Sequence, residues 1–306
     1  MARSCGAVQN YFRQVDLFPE LRANQARLES QTRRALRTGG EREFPREIPV
    51  VVHILYKADA DNVTDEQVAS QIQVLNEDYA GTNADIGQVP APFAGLVGTA
   101  GLSFQLAAQD PDGKPTTGIT RTRTSRTDFG VDDSMKKAAS GGQDAWDTAR
   151  YLNIWVCRMR GGVLGYAQFP GGDPATDGVA IMTTAFGRGG SAQAPFDLGR
   201  TATHEIGHYL NLSHIWGEAR VPTCDDTDYV DDTPNQLGPN NGKPTFPRVS
   251  CPSAVNGDMF MNYMDYVDDD AMYMFSKLQV DRMHAALELS RSDLGSGLAA
   301  PAAAAS

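Results

Sequence analysis

Eleven consecutive residues constrain this chain more than any other stretch: His204-Glu205-Ile206-Gly207-His208-Tyr209-Leu210-Asn211-Leu212-Ser213-His214. The first five read H-E-x-x-H. On a helix the two histidines lie four apart on one face, where both imidazoles can reach a single zinc ion. Glu205 sits beside them, placed to take a proton from a water activated at the metal. His214 lies too far along a continuous helix to reach the same ion, so the chain must break near Asn211 and turn back. Asparagine tolerates the left-handed conformation that such a turn needs better than any other non-glycine residue. Three protein ligands leave an open position for water, the arrangement of a catalytic zinc rather than a structural one. A bare H-E-x-x-H occurs by chance in many helices. Here three of the chain's five histidines fall in one window, which fits neither scattered surface histidines nor core ones.

The rest of the 306 residues is consistent with an enzyme of ordinary globular composition. The hydrophobic share is 41% and the charged share 21%, enough to bury a substantial core. A net charge of −11 argues against nucleic acid as a partner. No apolar run approaches membrane-span length, and the start Met1-Ala2-Arg3-Ser4-Cys5 lacks the apolar centre of a signal peptide. The expected partners are protein or peptide substrates, with the chain acting as a monomer.

Residues 1–48 carry nine arginines against six acids and show helical spacing from Leu21 to Leu28, ending in the Gly39-Gly40 joint. Buried strands are expected at 48–56, 102–107, 151–157 and 178–182, with an amphipathic helix capped by Thr64 and Gln67 through Val68, Ile72 and Leu75. After His214 mostly loop is expected. Residues 224–270 hold ten aspartates against Lys243 and Arg248. Such a segment repels itself unless neutralised, and calcium is the natural counter-ion, with Asp228, Asp232 and Thr233 as candidate ligands. A solvated acidic loop is the alternative. Cys224 and Cys251 bracket this loop, and pairing them fits an oxidising compartment. Cys157 reads as a buried thiol in a strand. Cys5, flanked by Arg3 in a polar stretch, is a candidate fourth zinc ligand that would exclude the catalytic water if the N-terminal segment folds over the cleft.

The long histidine motif, followed by Asp258-Met259-Phe260-Met261-Asn262-Tyr263-Met264-Asp265-Tyr266 and by residues 274–283, resembles the pappalysin family of metzincin metalloproteases, in particular its short microbial members. The similarity runs over about residues 45–290. Asn211 departs from the family's glycine. The resemblance implies an α+β fold: a twisted mixed β-sheet with an active-site helix, above an irregular C-terminal subdomain ending in a helix. It implies a catalytic domain over 42–290, divided at 214/215, preceded by a propeptide-like segment 1–41 and followed by a disordered tail 291–306. Met264 would floor the three histidines and Tyr266 would donate to the developing oxyanion. Cys224–Cys251 would be a family disulfide, and the acidic loop resembles the family's calcium segment. His53 and His284 match no ligand position.

These features predict a secreted zinc endopeptidase whose substrate pairs along residues 178–184 as an exposed edge. A basic residue is expected just after the scissile bond, from the acids around Met264 and from the family's preference. Latency is expected through Cys5, relieved by cleavage before Arg42 or Arg46. Two alternatives are a catalytically silent zinc- and calcium-binding recognition module, disfavoured by Glu205, and a small-molecule zinc hydrolase, disfavoured by the third histidine and the Met264 segment.

Overall fold

The computed structural model describes residues 2–38 and 46–295. Two helices lead: α1 (Ala7–Leu17) and α2 (Glu20–Thr38). Strand β1 (Arg46–Tyr56) follows, almost wholly buried. Next come α3 (Asp65–Ala80), a single turn α4 (Ala91–Ala94), β2 (Leu102–Leu106), β3 (Ile119–Arg123), β4 (Leu152–Cys157), β5 (Gly165–Ala167) and β6 (Val179–Met182). Helix α5 (Arg200–Tyr209) carries the histidines. Among the described residues after it lie only β7 (Asn241–Gly242), β8 (Tyr266–Val267) and α6 (Lys277–Ser290), together with one 3₁₀ turn, Asp269–Ala271.

The sheet runs β2-β1-β4-β6-β5, with β3 pairing the second half of β1. All pairs are parallel except β5 with β6. Parallel strands covered on both faces read as continuous apolar runs, which is why β1, β4 and β6 were legible. Helix α3 starts as expected, Thr64 Oγ1 accepting from the Gln67 N–H at 3.2 Å, and ends at Gly81 with φ +63°, a left-handed cap.

Three expectations change. Residues 178–184 are not an edge, because β6 lies between β4 and β5; the edge is β5, three residues too short to show in a pattern. Residues 291–295, expected in the tail, are packed: Arg291 donates to Tyr209 O at 3.0 Å and pairs with Asp177, and Leu294 is buried. The rest of the expected tail, 296–306, lies outside the described residues, as does the joint 39–45 with Arg42. Arg46 is the first residue of β1, paired with Leu102.

The core that joins sheet, α5 and α6 also takes in the irregular segment, through Met259, Met261, Tyr263 and Met264. Cys224 and Cys251 are bonded, with Cα atoms 5.6 Å apart. They tie together a stretch with little hydrogen-bonded ladder of its own.

Candidate metal centre and active-site cleft

Helix α5 breaks where the sequence requires it. Leu210 N still bonds Ile206 O at 2.9 Å, and Asn211 then takes φ +70°. The carbonyl of Asn211 is held by Arg282 Nε at 2.8 Å. The turn brings His214 back under the helix: its ring centroid lies 4.5 Å from that of His208 and 5.3 Å from that of His204.

Each ring is oriented from behind. His204 Nδ1 faces Tyr263 O and His208 Nδ1 faces Leu212 O, both at 2.7 Å. His214 Nδ1 instead faces a carboxylate, Glu218 Oε2 at 3.0 Å, while Glu218 Oε1 accepts from the His214 N–H at 2.9 Å. The Nε2 atoms therefore converge. Those of His208 and His214 are 3.1 Å apart, and His204 Nε2 is buried with no hydrogen-bond partner. Burial and the neighbouring imidazoles hold His204 and His208 well below the usual histidine range, so they stand neutral with free lone pairs, as ligation requires. Cys5 Sγ completes the group, the four donor atoms lying within 4.8 Å of one another. Three imidazoles and a sulfur are a donor set suited to zinc, and the partnerless nitrogen of His204 belongs to that group.

Met264 is fully buried beneath α5. A Cβ on Gly207 would lie 2.5 Å from Met264 Sδ, so the glycine of the motif is what lets the methionine floor approach. Glu205 meets the same limit on its other side, since a Cβ on Gly165 of β5 would lie 2.8 Å from Glu205 Cγ. Burial pushes the Glu205 carboxyl up to about 8, and Cys5 Sγ stands 3.4 Å from its Oε2. Burial, then Glu205, raise the Cys5 thiol well above the usual range. His214 and Trp216 stack face to face at 4.5 Å, and Tyr266 meets both edge-on, at 5.0 and 4.8 Å, and meets the main chain of Cys5.

The N-terminal segment reaches this site by adding to the sheet edge. Cys5 bridges Gly165 in parallel, with Gly6 N on Gly165 O at 2.8 Å and Leu164 N on Ser4 O at 2.8 Å. Arg3 fills a pocket that sequence reasoning missed. Its guanidinium pairs with Asp269, donates to Val267 O and to Thr201 Oγ1 at 3.1 Å each, and lies over the Phe196 ring at 4.9 Å. Both charges are buried, at 1% and 0% side-chain exposure. Further along, Asn10 bonds Ala167 O at 3.1 Å, Arg13 pairs with Asp133, and Glu29 pairs with Arg282.

Of the calcium candidates, Asp228 and Thr233 come together, Thr233 Oγ1 lying 2.7 Å from Asp228 Oδ2. Asp232 is engaged elsewhere, accepting from Ser276 Oγ at 2.5 Å and Leu278 N at 3.0 Å. Its carboxylate serves the N-terminus of α6, where exposed N–H groups and the helix dipole favour an anion. His53 is a buried strand histidine between Thr120 and Asn153, and His284 bonds Ala100 O at 2.7 Å.

A helix-borne histidine pair, a turned-back third histidine, a buried glutamate and a methionine floor beside a sheet edge define a metalloprotease of the metzincin type. The chain belongs to the Peptidase_M43 family (pregnancy-associated plasma protein-A), whose pattern matches residues 136–288. It is 33% identical over 237 residues to an extracellular metalloprotease of Arthroderma benhamiae, covering 76% of this chain and 68% of that protein. Among solved structures it is similar to a mutant of Tannerella forsythia promirolysin, with 45% identity, a TM-score of 0.88, and 96% of this chain and 97% of that one covered. Mature mirolysin of the same organism, in complex with a cleaved peptide, is 48% identical with a TM-score of 0.78 and covers 82% of this chain and 97% of its own. The protein is thus an extracellular metalloendopeptidase with the organisation of a zymogen. No described helix is long and apolar enough to cross a membrane.

Proposed function

We propose that this is the latent form of a secreted zinc endopeptidase, with His204, His208 and His214 as metal ligands, Glu205 as general base, and Cys5 as the fourth ligand that keeps it silent. The observation that carries the reading is the convergence of three imidazoles and the Cys5 sulfur beside Glu205. Zinc, when bound there, supplies Lewis acidity toward both the scissile carbonyl and the attacking water. The chain's own groups do the rest. Glu205 Oε2, facing the sulfur in the latent form, takes the proton of the water that replaces it and hands that proton to the leaving amine. The Tyr266 hydroxyl, released from the Cys5 main chain, donates to the developing oxyanion. Edge strand β5 holds an extended substrate by main-chain hydrogen bonds, and Gly165 leaves room for it above Glu205.

The preference for a basic residue after the scissile bond gains support from Arg3. A guanidinium already sits in the Asp269 pocket, and that pocket offers a planar group a carboxylate, a carbonyl and an aromatic face. Residues 1–41 serve as the prosegment, and a cut before Arg42 or Arg46 separates them from the catalytic domain. For calcium we retain Asp228 and Thr233; burial pushes the Asp228 carboxyl up to about 7, and a cation would offset its unpaired charge.

The test is Glu205→Gln. Zinc content should stay at about one equivalent while casein digestion falls by several orders of magnitude. Loss of zinc together with activity would make Glu205 structural.

A further inference from the structure

Arg282, on α6, sits at the opposite end of α5 from the Arg3 pocket and has a half-satisfied guanidinium. It is 3% exposed. Nε donates to Asn211 O at 2.8 Å and Nη2 to Glu29 Oε2 at 2.5 Å, while Nη1 is buried with no hydrogen-bond partner. The Tyr229 ring stands 5.6 Å from its carbon. A cavity of about 470 Å³ opens in front of it between the two N-terminal helices, which supply seven of its thirteen lining residues including Glu29, and the catalytic domain, which supplies Arg282, Asn211, Ser213, Glu218, Phe169 and Tyr229. Asn211 and Ser213 flank the turn to His214, and Phe169 meets the His208 ring at 5.2 Å, so the cavity adjoins the metal centre.

Guanidinium does not give up its charge at any pH the fold survives. Glu29 is the carboxylate hydrogen-bonded to it, and Glu29 leaves with the prosegment. With Glu29 gone, Nη1 and Nη2 would both be without a hydrogen-bond partner, a cation in a lining that also carries the Glu218 carboxylate.

We propose that Arg282 is a specificity-determining residue that takes an acidic side chain of the substrate on the amino-terminal side of the scissile bond, and that Glu29 holds this place in the latent chain. The assignment of sides rests on the reading that the Asp269 pocket takes the residue after the bond. Thr201, beside that pocket, and Tyr209, just before the Asn211 turn, lie eight residues apart on α5, about 12 Å of helix rise. An extended peptide advances about 3.3 Å per residue, so about 12 Å is between three and four steps back from the residue after the bond, and the acid belongs at the third or fourth residue before it. The prosegment would then imitate substrate at two points, a base in one pocket and an acid in the other.

The experiment uses the self-activated enzyme and a peptide set with arginine fixed after the bond and Glu or Gln at the second, third or fourth position before it. Glu should exceed Gln in kcat/KM by about tenfold at one of these positions, as one charge-assisted hydrogen bond supplies. Arg282→Lys should keep a reduced ratio and Arg282→Gln should bring it to one. Because Arg282 also steadies the Asn211 turn, the Glu/Gln ratio is read rather than the rate, and a general loss of activity cancels. A ratio of one at every position in the unaltered enzyme overturns the proposal, as does a ratio that survives Arg282→Gln. A parallel set replacing the arginine after the bond reads the Asp269 pocket separately. Loss of the arginine preference with the Glu ratio intact sinks that reading and leaves an anion subsite at Arg282. The reverse result sinks the subsite alone.

Discussion

Replacing Arg3 with Ala removes a buried ion pair, two further hydrogen bonds and a cation–ring contact from the latent cleft. Breaking one side of a buried pair costs about 3–5 kcal/mol when the orphaned charge stays dry. Here the cost sits at the low end, because Asp269 keeps its bonds from Leu198 N at 2.8 Å and Arg200 N at 3.3 Å and water can enter behind the lost side chain. Taking about 3 kcal/mol, the prosegment should open roughly 150 times more often. Cys5 is two residues away and enters the same site, so its hold weakens with it. The assay is the lag before a purified zymogen at fixed low concentration begins to cleave a fluorogenic peptide. Arg3→Ala should shorten the lag by up to about two orders of magnitude, and Arg3→Lys, keeping charge without the planar fork, by clearly less. In the inert Glu205→Ala background the same change should lower Tm. A lag within twofold of the unaltered chain would refute the idea that the Asp269 pocket secures latency; equal effects of Ala and Lys would show that the fork geometry is irrelevant.

Glu218→Gln leaves His214 its neighbour but not the carboxylate behind its ring. Zinc affinity, read by competition with a chelator, should fall about 10–100-fold, and an unchanged affinity would show that the contact is incidental. Tyr266→Phe should lower kcat by about 10²-fold with KM little moved; a change confined to KM would place the ring in substrate binding instead. Asp228 has a folded-state pKa of about 7 against an ordinary 3.8. The folded chain therefore holds a proton that the unfolded chain releases, and stability falls as pH rises from about 4 to 7, on the order of 4 kcal/mol in all. Without calcium, Asp228→Asn should raise Tm by several degrees at pH 8 and change it little at pH 4.5. In calcium the same variant should melt below the unaltered chain at pH 8, with a chelator reversing the order; a Tm difference indifferent to calcium would remove the cation from Asp228.

Contiguous features were readable from sequence and spatial ones were not. The histidine window specified its own helix, its break and the return of its third histidine, because spacing alone fixes which side chains share a face. Strands β1, β4 and β6 showed as apolar runs, whereas β3 reads Ile119-Thr120-Arg121-Thr122-Arg123, polar enough to pass for loop. Strand order is not written locally, so β6 was taken for the edge that β5 provides. Arg3 and Asp269 are 266 residues apart, and neither carries a motif. Asp269 stood among ten similar acids, and only the fold shows which one points into the cleft. The place of Asp232 at the start of α6 was unreadable for a related reason: a carboxylate near a loop and one capping a distant helix look alike in sequence.

The edge at β5 has a bearing on solubility. A strand with unpaired N–H and C=O groups will accept any extended chain, including the same edge on another molecule, and proteins commonly blunt such rims with charge or proline. A peptidase cannot blunt the rim it uses to grip its substrate. This one limits the hazard by length: Gly165–Ala167 offers three residues, beginning with a glycine that adds no apolar side chain. That is a short ladder for aligning a peptide, and too little to template stacking between copies. Until the N-terminal segment is cut away, residues 4–6 keep even that short rim paired.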